Sequence, residues 1–143
     1  MPVTERSVVI AATPEQCFAT IADYERYPEF LDEMSKVSLN RRESNYAVAT
    51  FELDLMVRVE YTLRLFEDPP HGLHWSLEHA KIMRVNTGSW KLSALDAEHT
   101  QATYRIELEL RGVIPESVTA RLAGTTLPRT LQLFKQRIEA NAP

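Results

Sequence analysis

Histidine and cysteine are the residues of this sequence with the best-known roles in metal binding and nucleophilic catalysis, and it has 4 histidines and 1 cysteine. His74 and His79 are an odd number of residues apart in a predicted strand, which places their side chains on opposite faces. A zinc site needs convergent ligands. We therefore predict no metal site, and we expect the histidines to face solvent or lie in loops: His71, His74, His79 and His99.

Cys17 lies on the apolar face of a predicted helix, where a thiol behaves as a small hydrophobic group rather than as a reactive thiolate. The sequence also contains no Gly-rich phosphate loop, no Gly-x-Ser-x-Gly motif and no His-Glu-x-x-His motif. These observations predict no catalytic residues and no cofactor, and they favour a function other than catalysis.

An acidic cluster surrounds three aromatic residues near the end of the first predicted helix. Its carboxylates come from Glu25, Glu29, Asp32 and Glu33, and its aromatic rings from Tyr24, Tyr27 and Phe30. The simplest interpretation is a solvated helix face beside core aromatic residues. Asp23 precedes the cluster, and we expect its carboxylate to cap the next turn by accepting backbone N–H bonds.

The composition predicts one ordinary globular domain over residues 1–143, with 44% hydrophobic and 25% charged residues. A formal net charge of −4 argues against binding to DNA, which requires a basic surface. One cysteine cannot form an internal disulfide, and the first residues lack the pattern of a signal peptide. We expect a cytoplasmic protein, and no apolar run approaches the roughly 20 residues that cross a bilayer.

The first elements are a strand, Val3–Ala12, and a helix that begins after it. Thr13 is placed to cap this helix, with Pro14 at its first position and Gln16 at the capping-box position. Helical spacing of apolar residues continues to about residue 23. Pro28 then interrupts the helical pattern, so we predict at most one further short helical turn over residues 28–34.

From residue 36 to residue 111 the apolar pattern has a period of two, which predicts about six antiparallel strands with one wet face. We expect turns at residues 41–45, 54–56, 68–72 and 96–99, and a bulge at Gly88. Helical spacing returns from Pro115 to about Ala142. A kink or short break is expected where Pro128 follows Gly124, Thr125 and Thr126.

This order of elements predicts an α+β helix-grip fold, in which a curved antiparallel sheet of about six or seven strands wraps around a long C-terminal helix. Two short helices follow the first strand. One helix covers a curved sheet incompletely, so an apolar cavity is expected between them. At about 24 cal/mol per Å³, a dry void of roughly 300 Å³ would cost about 7 kcal/mol. The cavity should therefore be small, wet or occupied.

Two segments carry a likeness to a known superfamily. Asp23–Leu31 reads DYERYPEFL, and Gly88–Leu92 reads GSWKL. With the helix-grip order, they resemble the START-like (SRPBCC) superfamily of polyketide cyclase/dehydrase and lipid transport proteins over essentially the whole chain. Within it, the sequence is similar to coenzyme Q-binding and ribosome-association-toxin-like members. The resemblance implies that the cavity binds lipids, isoprenoid quinones or polyketides without a metal or cofactor.

Strand alternation and helix spacing give the candidate cavity residues, of which about half are expected to be plain core: Phe51, Leu53, Val59, Tyr61, Trp75, Trp90, Tyr104, Ile106, Leu108, Leu122, Thr125, Thr126 and Arg129. The hydroxyls of Tyr61, Tyr104 and Thr126 are candidates to orient a quinone head or phenolic ring, because a buried hydroxyl needs a partner. Arg129 is expected at the surface. The resemblance further suggests that Tyr24, Tyr27 and Phe30 form the cavity entrance.

Three functions remain open. The first is binding or transport of a hydrophobic small molecule without catalysis. The second is a polyketide aromatase/cyclase, in which a pocket tyrosine, arginine or aspartate polarises carbonyl groups. The third is an interaction protein with a transient membrane or ribosome contact, for which basic surface is limited to Arg41, Arg42, Arg121 and Arg129. The oligomeric state is not predicted by the sequence.

Overall fold

The structure is a computed structural model that describes residues 3–122 and 127–142. The described residues form seven strands: β1 (Val3–Ile10), β2 (Met34–Arg42), β3 (Tyr46–Asp54), β4 (Arg58–Asp68), β5 (Gly72–Ala80), β6 (Met83–Ala94) and β7 (Thr100–Leu110). These strands form one antiparallel sheet in the order β1-β7-β6-β5-β4-β3-β2. The helices are α1 (Pro14–Ile21), a 3₁₀ helix (Tyr24–Glu29), α2 (Glu116–Ala120) and α3 (Leu127–Asn141). Among the helices of the described ranges, none has the length and hydropathy of a membrane-spanning segment.

The start of α1 confirms the predicted capping box. The Thr13 hydroxyl accepts the Gln16 backbone N–H at 3.2 Å, and the Gln16 side chain accepts the Thr13 N–H at 2.9 Å. The capping role predicted for Asp23 is wrong, because its side chain makes no capping hydrogen bond and instead pairs with Arg26 at 3.1 Å. The short helical turn also begins earlier than predicted, and Pro28 lies inside the 3₁₀ helix.

Strand β2 occupies one edge of the sheet and pairs irregularly with β3. The register shifts between Met34 and Lys36 and again between Leu39 and Arg41. Strands β3 and β4 meet at the predicted turn, where Met56 takes a left-handed backbone conformation with φ of 77°. Glycine usually occupies this conformation, but here Met56 does, so the sequence contains no glycine at the turn.

A bulge in β5 overturns the prediction that His74 and His79 point to opposite faces. His74 pairs with Phe66 and His79 pairs with Thr62, with a register shift between these pairs. Phe66 and Thr62 are an even number of residues apart on β4, so their partners share one face of the sheet. Both imidazoles are exposed there. In the described ranges, no group of three or more His, Cys, Asp or Glu residues is arranged to hold a metal ion.

Gly88 is not at the bulge predicted for β6, because the register shift lies between Met83 and Val85. Gly88 instead pairs regularly with Trp75 on β5 and Ile106 on β7. A Cβ atom at Gly88 would lie 2.3 Å from Cζ2 of Trp75 and 2.3 Å from the carbonyl oxygen of Arg105. The missing side chain thus leaves the space that the Trp75 indole occupies.

Within the described ranges, the C-terminal helices complete two apolar clusters. The larger cluster contains the buried residues of α3 at the predicted helical spacing: Leu127, Leu131, Phe134 and Ile138. The smaller cluster lies at α2, where Val118 packs with residues of the sheet and of the β3–β4 turn: Leu55, Val59, Met83 and Leu108. The break predicted at Gly124, Thr125 and Thr126 lies outside the described residues. Between the two clusters the sheet and the helices leave a cavity.

Candidate functional site: an apolar cavity

The cavity has a volume of about 210 Å³ and lies between the concave face of the sheet, the 3₁₀ helix and the C-terminal helices. Alternate residues of the strands line it, because side chains on one strand point to opposite faces in turn. The structure brings together ten of the candidates from the sequence: Phe51, Leu53, Tyr61, Trp75, Trp90, Tyr104, Ile106, Leu108, Leu122 and Arg129. Thr125 and Thr126 lie outside the described residues.

Val59 does not line the cavity. It is only 1% exposed and belongs to the smaller cluster, in which Leu55 and Val118 pack with it. Strand alternation does place Val59 on the inner face of the sheet, but α2 and the β3–β4 turn cover this end of that face. Val59 therefore contributes to the core beneath the cavity and not to its lining.

The three aromatic residues expected at the entrance lie at different depths. Tyr27 lines the cavity from the interior. Tyr24 is buried away from it and donates its hydroxyl to Glu67 at 2.7 Å. Phe30 packs against Phe134, with ring centroids 5.1 Å apart, beneath the Arg137 guanidinium. A 3₁₀ helix has about three residues per turn, which aligns residues 24, 27 and 30 on one side and turns them toward the protein.

Aromatic rings form most of the cavity wall around Tyr104. Its ring lies 5.0 Å from the Trp90 ring and 5.5 Å from the Trp75 ring, measured between centroids. Phe51 and Tyr61 stack across β3 and β4 at 5.4 Å. Rings of this kind offer a large apolar surface with polar edges, which suits a flat or elongated hydrophobic molecule.

The polar atoms of the interior are few and uncharged. In the described part of the chain, the hydroxyls of Tyr61 and Tyr104 have no hydrogen-bond partner, whereas the Tyr27 hydroxyl donates to the Ile21 carbonyl. Burial raises the pKa of Tyr61 and Tyr104, and the two rings lie close enough for Tyr104 to raise the pKa of Tyr61 further. Both tyrosines are therefore neutral hydroxyl groups near pH 7.

Sequence reasoning missed Asn86, which is 3% exposed and lines the cavity from β6. Its carbonyl oxygen accepts the Trp75 indole N–H at 3.0 Å. Asn86, Gly88 and Trp90 alternate along one strand, so the period that identified Trp90 also carried a signal for Asn86. A polar residue at an inward position of a buried strand was the available clue.

Charged residues occur where the cavity reaches the surface, and we call this region the mouth: Asp32, Glu33, Arg121 and Arg129. Arg129 Nε lies 3.2 Å from an Asp32 carboxylate oxygen, and its side chain is 66% exposed, as expected for a surface residue. Arg121 Nε lies 3.2 Å from a Glu33 carboxylate oxygen. These two ion pairs join the segment after the 3₁₀ helix to the helical region on the other side of the mouth.

Comparisons with known proteins give one family and a group of similar structures. A family model described as polyketide cyclase/dehydrase and lipid transport matches residues 1–142. No curated protein matches the chain significantly.

Among solved structures, the ZhuI aromatase/cyclase from Streptomyces sp. R1128 is 21% identical with a TM-score of 0.83, over 99% of this chain and 98% of that one. A START superfamily protein from Mycobacterium smegmatis is 15% identical with a TM-score of 0.82, over 96% and 97%. TTHA0849 from Thermus thermophilus is 17% identical with a TM-score of 0.83, over 99% and 100%. At these identities the likeness establishes the helix-grip fold.

Proposed function

Because the chain belongs to the polyketide cyclase/dehydrase and lipid transport family, we propose that it binds a hydrophobic small molecule in its cavity. The observation that carries this proposal is a cavity of about 210 Å³ with an aromatic wall, two unpartnered hydroxyls among the described residues and an opening to the surface. An isoprenoid quinone, a lipid or a polyketide-like molecule has the apolar surface to fill it. Binding and release through the mouth would serve transport.

The energy of an empty cavity supports an occupant. At about 24 cal/mol per Å³, a dry cavity of this size would cost about 5 kcal/mol. Native domains are stable by only about 5–15 kcal/mol in total. The rings of Trp75, Trp90 and Tyr104 also offer no strong hydrogen-bond network to ordered water. A hydrophobic ligand therefore recovers packing energy that water recovers poorly.

A polyketide aromatase/cyclase is the second candidate, favoured by the tyrosine hydroxyls and by the description of ZhuI as an aromatase/cyclase. Neutral hydroxyls polarise a carbonyl, but cyclisation also needs a base. The carboxylates that line the described cavity are those of Asp32 and Glu33, and both pair with arginine at the mouth. Binding without catalysis therefore fits the interior better.

The basic residues considered for a ribosome contact have acidic partners. Arg42 binds Glu67 through two hydrogen bonds of 3.0 and 3.2 Å, and Arg41 lies 3.7 Å from Glu43. The arginines of the mouth are paired as described above. Neutralised arginines attract phosphate weakly, so the charge distribution favours a small-molecule ligand over a ribosomal RNA surface.

The proposal is tested by offering the purified protein a panel of quinones, lipids and aromatic polyketides and measuring the bound mass by native mass spectrometry. In the variant Ile106→Trp, a larger side chain fills the cavity, and we expect the bound mass to be lost. Arg105→Trp adds the same side chain on the opposite face of β7 and serves as the control, with binding retained. If no panel member binds, or if both variants bind equally, the proposal is wrong.

A further inference from the structure

Asn86 is one of two buried polar residues in the described part of the protein, and the other, Thr100, is satisfied by the Ala12 carbonyl at 2.7 Å. Asn86 differs because it lines the cavity. A buried amide has two N–H donors and one carbonyl acceptor to satisfy. Its hydrogen bonds therefore determine which kind of atom the cavity presents to a ligand.

The orientation of the Asn86 amide follows from its neighbour. An indole N–H only donates, so the group 3.0 Å from Trp75 Nε1 must be the Asn86 carbonyl oxygen. The NH₂ group then points the other way. Its one acceptor among the described residues is the Met83 sulfur at 3.6 Å, and a thioether is a weak acceptor. The amide thus retains donor capacity at the cavity wall.

The rest of the described interior contributes a few uncharged hydroxyl donors. Among the described lining residues, the hydroxyls of Tyr61 and Tyr104 are unpaired, and the charged groups are confined to the mouth. Among the described residues around Asn86, a buried ligand carboxylate would find no cation to balance it, and a buried ammonium would find no carboxylate. A hydrocarbon would leave the amide donor unsatisfied.

We infer that the buried end of the ligand carries an uncharged carbonyl oxygen and that Asn86 donates the hydrogen bond that selects it. This inference rests on the proposed function and narrows its ligand class to ketones, quinones, esters or amides. Fatty-acid carboxylates and plain hydrocarbons are excluded from this end of the cavity. Trp75 acts as a positioning residue, because it fixes the direction of the amide.

Three naphthalenes of similar size test the inference: 2-acetylnaphthalene, 2-ethylnaphthalene and 2-naphthoate. The first has a neutral carbonyl, the second has none, and the third is an anion. We expect the ketone to bind the wild-type protein about tenfold more tightly than the other two, as measured by quenching of tryptophan fluorescence. Equal affinity for the ketone and the hydrocarbon would overturn the inference.

Variants assign the preference to Asn86. In Asn86→Leu the ketone and 2-ethylnaphthalene should bind with affinities within about twofold of each other, because the donor is gone. Asn40→Leu makes the same change on an exposed strand position and should keep the preference. Asn86→Met places a thioether, a weak acceptor with no donor, near the Trp75 N–H, so it provides a second test if the leucine variant does not fold. A preference that survives in either Asn86 variant contradicts the inference.

The outcome also separates this inference from the proposed function. If all three naphthalenes bind equally and Ile106→Trp abolishes their binding, the cavity binds hydrophobic ligands and only the role of Asn86 is wrong. If none of the three binds, and the broader panel also fails, the proposed function and the inference fall together.

Discussion

Gly88 controls the geometry of the cavity wall through the residue opposite it. Trp75 extends from β5 across β6, and the space above Gly88 is the path by which its indole reaches Asn86. A tryptophan at this position needs both the space and the amide acceptor, since a buried indole N–H is costly without a partner. The three residues therefore act together.

We predict that Gly88→Ala destabilises the protein by about 1–3 kcal/mol, because its Cβ would overlap the Trp75 ring and the Arg105 carbonyl. Urea unfolding measures the loss, and near-ultraviolet circular dichroism reports the displaced tryptophan. Gly112→Ala is the control: it strains a backbone with φ of 82°, but its Cβ meets no atom of the described residues within 4 Å. An unchanged tryptophan spectrum in Gly88→Ala would contradict the prediction.

Individual side chains were predictable where local periodicity decides their direction. Tyr61 and Tyr104 alternate on amphipathic strands, and the structure places both at the cavity. The directions of the Tyr24 and Phe30 side chains were not predictable in the same way. A short 3₁₀ helix and a short α-helix have similar sequences, but they place different residues on the same side.

The C-terminal end of α3 is tied to the junction between β1 and α1. Lys135 donates to the Val9 carbonyl at 2.7 Å, and Glu139 accepts the Ala11 N–H at 2.8 Å and the Lys135 ammonium at 2.6 Å. The Ala11 N–H, followed by Lys135, lowers the pKa of Glu139 below its ordinary value of 4.5. This end of the helix is thereby held while its other end borders the mouth.

The lowered pKa of Glu139 predicts a contribution to stability that depends on pH. A carboxyl group with a lowered pKa in the folded state stabilises the protein above its ordinary pKa, and this contribution disappears as the pH falls through the folded-state pKa. Glu139→Gln should therefore lower the free energy of unfolding by less than about 1 kcal/mol near neutral pH and leave it unchanged in acid. Urea unfolding at several pH values measures the difference.

Glu15→Gln removes an exposed carboxylate of α1 and controls for the change in net charge. A cost for Glu139→Gln that is the same at neutral and acid pH would show that charge is not the cause.

Elements were predictable where their pattern is long and regular. The capping box at Thr13 and the spacing of Leu127, Leu131 and Phe134 identified their helices. The bulge in β5 was not predictable from the sequence. No glycine or proline lies within residues 76–79 to mark it, and the extra residue is apparent only from the register with which β5 pairs with β4. Register depends on contacts between strands, which a single segment does not encode.

At the scale of the whole molecule, tyrosines distributed through the interior link stability to alkaline pH. Four of the 5 tyrosines have a raised pKa, mainly because burial disfavours their charged form: Tyr24, Tyr27, Tyr61 and Tyr104. The folded protein therefore retains protons that the unfolded chain releases near the ordinary tyrosine pKa of 10. The stability that these retained protons provide is fully present below the ordinary tyrosine pKa, and it declines as the pH rises above that value.

We expect these tyrosines to ionise together with global unfolding. Their absorbance change near 295 nm should coincide with the loss of far-ultraviolet circular dichroism, because the phenolate forms only when water reaches the ring. Tyr61→Phe should reduce the absorbance change by one tyrosine and make the alkaline decline less steep. Ionisation of all four in a protein with native circular dichroism would contradict the prediction.

The irregular pairing of β2 has a consequence for how copies of the molecule meet. An open sheet with a flat edge offers its unpaired backbone groups to another chain and promotes fibrillar aggregation. Strand β2 lies at such an edge, but its register shifts twice and it carries Lys36, Arg41 and Arg42. A second molecule would have to match a twisted strand and remove water from the charged side chains along it. The irregular, charged edge strand β2 therefore disfavours aggregation of the protein in concentrated solution.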